Sequence, residues 1–364
     1  MRIIQITPRY FPNMGGVEEV VQKISETLVN RGVQVVVFSV DRTSGLPRVE
    51  NIEGVLVKRF VPLFSDPLYF PEPSFVANLR KEKADVVHVH NIHTLPPLMA
   101  AMCKRGDQKL LLQPHYHRYG QSPFRHSFLE LYKRMCSGLI FSKTDVVLAN
   151  SAYEKEALCE DFPEVRNVFL LPEGIDFDGV VRVKHEPVEP RRILYVGALK
   201  RYKNVDKILR GFSNLLKKGE KRFQLVVVGE GPERDFLVNL AEHLRISEFV
   251  EWKCRLSREE LLSEYAKASV LVQLSPLESF SRVVYDALFV GVPVVVLDFG
   301  AFKDLVAEGV AEGVKSLAEA DIADALLKAT KKTYARISMD GNAFLDWKTY
   351  SDRLIDVYEK LIGT

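Results

Sequence analysis

The chain has 364 residues, about twice the usual length of one domain, so two compact domains are expected. Hydrophobic residues make up 47% and charged residues 27% of the sequence, and the formal net charge of +2 gives no indication of a nucleic-acid partner. The four cysteines have neither metal-ligand spacing nor the spacing of a disulfide framework, which favours a reducing, cytoplasmic location.

The first predicted strand is Arg2–Thr7. Its apolar run is short and stops before Pro8, so we expect a buried strand rather than a signal peptide. Apolar side chains then recur at helical spacing from Val17 to Leu28, and Gly32 is a typical C-terminal helix signal. Strand, helix and strand in this order are typical of a parallel sheet. Further strands are predicted at Val33–Val40, Ala84–His90, Lys109–Gln113 and Asp145–Asn150.

The same alternation returns in the second half, after a segment with Pro187 and Pro190 and no apolar periodicity, which is the predicted linker at 179–192. Strands are predicted at Arg191–Val196, Phe223–Val228, Phe249–Trp252, Val270–Leu274 and Pro293–Leu297. Helices are predicted at Asn204–Lys217, Arg234–Leu244, Glu259–Lys267 and Arg282–Val290. The expected architecture is therefore α/β, with Rossmann-like domains at 1–178 and 193–346.

The last predicted helix, 347–364, has an apolar face that begins at Trp347, and we expect this face to pack on the first domain. The most apolar long window, Val283–Phe302, contains Asp286 and Pro293, which argues against a membrane span. Any membrane contact is therefore expected at the surface of the protein.

In parallel-sheet proteins ligands bind beyond the carboxyl ends of the strands, so we searched the loops that follow the predicted strands. The first such loop ends in Gly15 and Gly16 at a predicted helix start. Backbone amides at a helix N-terminus bind anions, and glycine lets a phosphate approach closely. A tight turn that needs glycine explains the pair equally well.

Histidines follow the next strands of the first domain. His88 and His90 share one strand face, and His93 lies just past the strand end. A metal site is one interpretation, but no acidic residue or cysteine stands beside them, so polar lining is favoured, with a core position open for His88. The next strand is followed by His115, His117 and Arg118. His115 could contact a sugar hydroxyl, or it could be a loop histidine that bonds only to backbone.

A basic, aromatic stretch follows at 118–134. Arg118, Arg125, Lys133 and Arg134 outnumber Glu130 there. Such a stretch suits a surface of anionic lipid headgroups, although a solvated helix face explains it as well.

In the second domain three cations follow the strand that ends at Val196: Lys200, Arg201 and Lys203. Such a cluster suits a diphosphate. Further on, Glu278 precedes a predicted helix and Asp286 follows eight residues later, which would place two carboxylates about two turns apart on one helix face. Two carboxylates so placed can bind hydroxyl groups of one ligand, whereas a helix cap and a surface residue are the simpler explanation.

Taken together, the layout and motifs resemble the GT-B glycosyltransferases of family 4, which transfer sugars from nucleotide-sugar donors with retention. The pieces that carry the resemblance are Gly15–Glu18, Asp85–His90, His115, Pro172–Asp176, Val196–Lys203, Gly229–Pro232, Glu278–Asp286 and Gly291–Pro293. The resemblance implies two facing Rossmann-like domains with a central cleft, and a final helix that crosses back onto the N-terminal domain.

The resemblance also implies roles for these positions. The N-terminal domain would bind the acceptor, and the C-terminal domain would bind a UDP-, GDP- or ADP-sugar, with no metal or other cofactor. The implied catalytic residues are His115 at the transferred sugar, Lys203 at the diphosphate and Glu278 at the sugar hydroxyls. The implied donor-binding residues are Gly15, Gly16, Gly197, Lys200, Arg201, Lys203, Gly229, Cys254, Glu278, Ser279, Phe280, Ser281 and Asp286. The implied acceptor-side residues are His88, His90, His93, His117 and Arg118.

Four positions in three motifs depart from the family pattern. Ala198 stands where the family usually has arginine, Ser279-Phe280-Ser281 replaces Gly-Phe-Gly, and Asp286 replaces glutamate. Loss of one cationic donor at a leaving group can lower the rate by about 10²–10³-fold.

The motifs and the resemblance together predict a retaining hexosyltransferase with a glycan, lipid-linked or small-molecule acceptor. A nucleotide-sugar epimerase, a glycan phosphorylase and an inactive binding partner of the same fold are the alternatives.

Overall fold

The computed structural model describes residues 1–13, 15–41, 45–64, 68–120, 123–332 and 344–363. The chain divides into two compact units. The first comprises Met1–Gly174 and Asn342–Thr364, and the second comprises Ile175–Gly341. Each is an α/β unit with its own sheet and its own apolar core, as the sequence predicts.

The first unit alternates strands and helices along the chain. In order they are β1 (Arg2–Thr7), α1 (Gly16–Asn30), β2 (Gln34–Val40), β3 (Val49–Ile52), β4 (Val55–Phe60), β5 (Pro62–Phe64), β6 (Phe70–Pro71), α2 (Pro73–Lys81), β7 (Val86–His90), α3 (Pro96–Cys103), β8 (Lys109–Gln113), α4 (Pro123–Lys143), β9 (Val146–Ala149), α5 (Ala152–Asp161) and β10 (Val168–Leu170). A short strand, β11 (Gly174–Ile175), spans the boundary between the units.

The main sheet of this unit has the order β10-β9-β8-β7-β1-β2-β4-β3, and all neighbours are parallel except β3 and β4. Successive side chains of β1 point to opposite faces, so Ile4 joins a core with Phe75 of α2 while Ile3 joins a core with Ile24 of α1. Both faces of the sheet are therefore covered by helices, which explains why its central strands are mostly apolar.

The second unit has the same alternation. Its elements are α6 (Phe177–Val181), β12 (Arg191–Val196), α7 (Val205–Lys217), β13 (Phe223–Val228), α8 (Arg234–His243), β14 (Val250–Lys253), α9 (Arg258–Lys267), β15 (Ala268–Gln273), α10 (Arg282–Val290), β16 (Val294–Leu297), α11 (Lys303–Ala307), β17 (Glu312–Val314) and α12 (Glu319–Ala329). The sheet is parallel, in the order β14-β13-β12-β15-β16-β17. This is the doubly wound order 3-2-1-4-5-6, whose ligand position is the switch between its first and fourth strands, here β12 and β15.

The chain ends with β18 (Leu345–Asp346) and α13 (Trp347–Ile362), which belong to the first unit. The predicted amphipathic helix therefore packs on the N-terminal part of the chain, as expected. Among the residues that the structure describes, no helix combines the length and apolar character needed to cross a membrane.

Candidate active site

The loops after β12 and β13 approach each other closely in the second unit. Gly197 donates its amide to Val228 O at 3.0 Å, and Leu199 donates to Glu230 O at 2.8 Å. Gly229 has a φ of +147°, and a Cβ placed on it would lie 2.0 Å from the carbonyl oxygen of Gly197. Only glycine fits at Gly229, so Gly197 and Gly229, two of the implied donor-binding residues, bring two loop backbones together at the carboxyl edge of the sheet.

The switch point of this sheet contains a lysine and a carboxylate in direct contact. Lys203 follows β12, Glu278 follows β15, and the Lys203 Nζ bonds to a carboxylate oxygen of Glu278. Their side chains are only 14% and 15% exposed. Burial alone would lower the pKa of Lys203, but the adjacent Glu278 charge outweighs it, so the pKa of this lysine is raised. The ammonium is therefore fully charged at neutral pH.

Backbone geometry places Lys203 at this position. The short 3₁₀ turn Arg201–Lys203 ends at Asn204, whose φ of +57° is left-handed, and the Asn204 side-chain amide donates to Leu274 O at 2.8 Å. That bond ties the lysine turn to the loop that carries Glu278. Lys200 is partly buried and Arg201 is exposed, so the three predicted cations differ in their access to solvent.

The side chains of the loop before α10 are buried or partly buried. The Phe280 ring is 7% exposed and stacks on Tyr285 with the ring centroids 4.5 Å apart. Ser281 is the N-cap residue of α10 and makes no side-chain cap bond, and Ser279 is partly buried. The first amides of a nine-residue helix therefore follow directly after Glu278 in the chain.

Asp286 forms a separate ion pair that the sequence did not indicate. It is 5% exposed and accepts two bonds from Arg258, at 2.5 Å from Nη1 and 3.1 Å from Nη2. The prediction that Glu278 and Asp286 lie two turns apart on one helix face is wrong, because α10 begins only at Arg282. Asp286 lies about one turn into the helix, and Glu278 lies before it. Arg258 is the first residue of α9 after the cap Ser257, and no local motif marks it.

Cys254, which the resemblance implies as a donor-binding residue, is exposed just after β14. In the first unit, Gly15 is the N-cap residue of α1 and Gly16 its first residue. A Cβ on Gly15 would lie 2.3 Å from the Glu18 carboxylate, which pairs with Arg9 at 2.6 Å. Gly15 thus allows a first-turn carboxylate to lie over the helix start, whereas a Cβ on Gly16 would meet no atom within 4 Å. The predicted phosphate contact of the glycine pair stays a prediction.

A chain of buried hydrogen bonds connects α13 to His115. Tyr358 OH lies 2.7 Å from His88 Nδ1 and 3.3 Å from Gln5 Nε2, and Gln5 Oε1 lies 2.7 Å from His90 Nε2. His90 Nδ1 lies 3.3 Å from His115 Nε2. One direction of donation satisfies every pair: His115 Nε2–H to His90, His90 Nε2–H to Gln5, Gln5 to the Tyr358 hydroxyl, and that hydroxyl to His88.

His115 itself is 7% exposed and has a left-handed backbone, with a φ of +47°. Its Nδ1 lies 3.2 Å from Asn150 Nδ2 and 3.5 Å from a Glu173 carboxylate oxygen. Positive φ is uncommon for histidine and marks a position that its surroundings must stabilise. The buried network meets this requirement, so the loop after β8 is firmly positioned.

The other predicted acceptor-side residues divide into core and surface. His88 and His90 are fully buried, so the core alternative describes His88. His93, 8% exposed, stacks on the more accessible His117 with the ring centroids 4.1 Å apart. Arg118 pairs with Glu160 and with Asp161. Over the described part of the chain, no three His, Cys, Asp or Glu side chains are arranged to bind a metal ion.

The predicted basic stretch lies on the start of α4, apart from Arg118. Lys133 bonds to Glu130 at 2.6 Å and to Tyr116 OH at 3.0 Å, so its charge is partly neutralised. The side chains of residues 123–125, which include Arg125, lie outside the described residues. Among the described side chains of the helix, the large apolar ones that are exposed are Leu131, Met135 and Leu139.

Two largely parallel sheets flanked by helices, the second with Lys203 and Glu278 at its switch point, define a protein of the doubly wound α/β class. Residues 14–178 match the family model described as Glycosyltransferase Family 4, and residues 179–344 match the one described as Glycosyl transferases group 1. The chain therefore belongs to the group 1, family 4 glycosyltransferases, which have the GT-B fold.

The chain is similar to characterised and uncharacterised members alike. It is 26% identical to a GDP-mannose-dependent alpha-mannosyltransferase of Mycolicibacterium smegmatis, over 100% of this chain and 98% of that protein. It is 27% identical to an uncharacterized glycosyltransferase of Methanocaldococcus jannaschii, over 84% and 83% of the two chains.

Solved structures agree on the fold. A sucrose-phosphate synthase from Thermosynechococcus elongatus superposes with a TM-score of 0.81 at 19% identity, covering 100% of this chain and 99% of the other. The Anabaena protein HepE, in complex with UDP and glucose, has a TM-score of 0.73 at 15% identity and covers 98% and 99% of the two chains.

Proposed function

We propose that this glycosyltransferase moves a hexosyl unit, with retention and without a metal ion, from a nucleotide sugar to a glycan, lipid-linked or small-molecule acceptor. The observation that carries the proposal is the contact of Lys203 with Glu278 at the switch point of the second sheet. A cation and a carboxylate at one point match a donor that carries a diphosphate next to sugar hydroxyls.

In this proposal the second unit binds the donor. The Lys203 ammonium would exchange its bond to Glu278 for the diphosphate and would stabilise the negative charge that develops as the diphosphate departs. The freed Glu278 carboxylate would accept hydrogen bonds from the sugar hydroxyls. Asp286 would accept from the ribose hydroxyls while Arg258 keeps its charge neutralised.

The first unit would bind the acceptor near the loop that carries His115, which would contact the transferred sugar. Retention would follow if the acceptor oxygen attacks from the face that the phosphate leaves and passes its proton to that phosphate. The C–O bond to the diphosphate breaks as the new glycosidic bond forms, so the step requires no covalent intermediate on the protein. A GDP-mannose-dependent relative supports testing GDP-mannose first.

The test is transfer by Lys203→Ala and Glu278→Ala across UDP-, GDP- and ADP-hexoses. We expect each variant to lose about 10²–10³-fold in kcat/KM, since each removes one charged contact to the reacting group. Lys218→Ala is the matched control, because Lys218 pairs with Asp324 on an exposed surface of the same unit. Circular dichroism verifies that all three variants are folded.

Unimpaired transfer by both site variants would exclude the proposed site. Turnover of the nucleotide sugar without any acceptor, with the sugar configuration changed, would instead identify an epimerase. NMR of the product anomeric carbon tests retention, and the rate in the presence of EDTA, expected to be unchanged, tests the absence of a required metal.

A further inference from the structure

An exposed apolar surface lies on the β5–β6 hairpin of the first unit. We call it the apolar hairpin and define it by Val61, Leu63, Phe64 and Phe70. The first three are 38%, 50% and 71% exposed, and the rings of Phe64 and Phe70 pack edge to face with centroids 6.5 Å apart. Single exposed apolar residues are ordinary, but a contiguous group of them marks a binding surface.

The hairpin is fixed to the body of the unit. Pro62 and Pro71 are buried and pair across the two strands, while the exposed side chains lie on the other side. Glu72 donates its amide to Val61 O at 2.9 Å. The hairpin is therefore anchored through one side, and its apolar side chains are exposed although the fold does not need them there.

Its position relates it to the acceptor side of the sheet. The hairpin follows the carboxyl end of β4, and Leu68 O accepts a bond of 2.8 Å from the amide of Leu95. Leu95 ends the loop that follows β7 and carries His93, whose ring stacks on His117. An apolar surface and a polar histidine pair thus lie on connected loops at one edge of one sheet.

An amphiphile matches this combination, since a hydrocarbon chain would cover the apolar side chains while a hydroxyl-bearing head would bond to the histidines. We propose that the apolar hairpin binds the hydrocarbon chain of a lipid-linked sugar acceptor. This rests on the proposed transferase function and selects one of its three acceptor classes. A free glycan or a small polar acceptor would leave Phe64 in water.

The experiment compares the octyl and methyl glycosides of one acceptor sugar, below the micellar concentration, in wild type and in Phe64→Ser. We expect wild type to have a KM at least tenfold lower for the octyl glycoside. Phe64→Ser should remove most of that difference while the KM for the methyl glycoside, the KM for the donor and kcat stay unchanged. Phe169→Ser is the matched control, because Phe169 is 55% exposed on β10, the edge strand of the main sheet that is farthest in strand order from β4, which precedes the hairpin.

The outcomes separate this inference from the proposed function. Absence of transfer from every donor to both glycosides, across a panel of acceptor sugars, would remove the transferase proposal itself. Transfer with equal KM values for the two glycosides, or equal effects of Phe64→Ser and Phe169→Ser, would overturn only the hairpin inference. So would binding of wild type but not Phe64→Ser to sugar-free phosphatidylglycerol vesicles, or a dimer in sedimentation that Phe64→Ser abolishes, since the occupant would then be a bilayer or a second copy.

Discussion

Three histidines of the first unit, His88, His90 and His93, are almost completely buried, and burial is the main cause that lowers the pKa of each ring well below 6.5. For His88 the pKa falls to about 3. A neutral imidazole has one donor and one acceptor nitrogen, which is the pattern that the bonds of His90 to Gln5 and His115 require. Burial therefore sets the hydrogen-bonding pattern of the network that ends at His115.

The His88 ring makes stability depend on pH. Because its folded-state pKa lies below the ordinary value, its contribution is present above pH 6.5 and is lost as the pH falls towards 3. At pH 5 the linkage amounts to about 2 kcal/mol relative to pH 7.5. We expect His88→Gln to lose about 2 kcal/mol less unfolding free energy than wild type between these two pH values.

Guanidinium unfolding at pH 7.5 and pH 5 measures this difference, and His126→Gln, at a partly exposed histidine of the same unit, is the control. Burial raises the pKa of Glu154 to about 7, so protonation of Glu154 adds stability as the pH falls. This contribution is present in wild type and in His88→Gln and therefore cancels in their comparison. An equal loss in wild type and His88→Gln would contradict the assigned protonation.

Among the elements, α13 shows how a sequence pattern becomes tertiary structure. Asp346 caps the helix by accepting from Thr349 N at 2.6 Å. The apolar face predicted from the sequence is buried in the core of the first unit, where Ser351 Oγ also bonds to Thr27 Oγ1 of α1 at 2.6 Å. The helix is thus a structural part of the unit that contains the histidine network.

Truncation of this face should destabilise the protein. Leu354 is fully buried, and Leu354→Ala is expected to cost about 2–5 kcal/mol of unfolding free energy, through lost burial and the cavity left behind. Asp356→Ala, at an exposed position of the same helix, should change it by less than about 0.5 kcal/mol. Urea unfolding gives both values, and similar costs for the two variants would show that the helix is not packed as described.

For the whole molecule, the chain completes most of the first unit, forms the second from Ile175 to Gly341, and returns to the first. The sheet order of the second unit has a ligand-binding switch point that contains Lys203 and Glu278. Leu354 belongs to the first unit, so a core variant there and a donor-site variant in the second should affect nucleotide binding differently.

A thermal-shift panel of UDP, GDP and ADP tests this division. A ligand that binds only the native state stabilises it by about 2.7 kcal/mol at 100 times its Kd. We expect one of the three nucleotides to raise Tm, Lys203→Ala to lose most of that rise, and Leu354→Ala to keep it from a lower starting Tm. A rise that survives in Lys203→Ala would show that the nucleotide binds elsewhere.

The pattern of apolar residues along the chain predicts ten of the described strands, five in each unit and four of them to the residue, and the final helix, because each periodicity is a local property of one element. It does not predict β3, β4, β10 or β17, among others. The strand–helix alternation and the loop motifs were enough for the fold class and the family. The partners of the charged and polar residues required the tertiary structure: Lys203 meets Glu278 75 residues on, and His88 meets Tyr358 270 residues on. A periodic pattern specifies which face of an element is buried, whereas which side chains meet depends on the order of strands and the course of the loops between them.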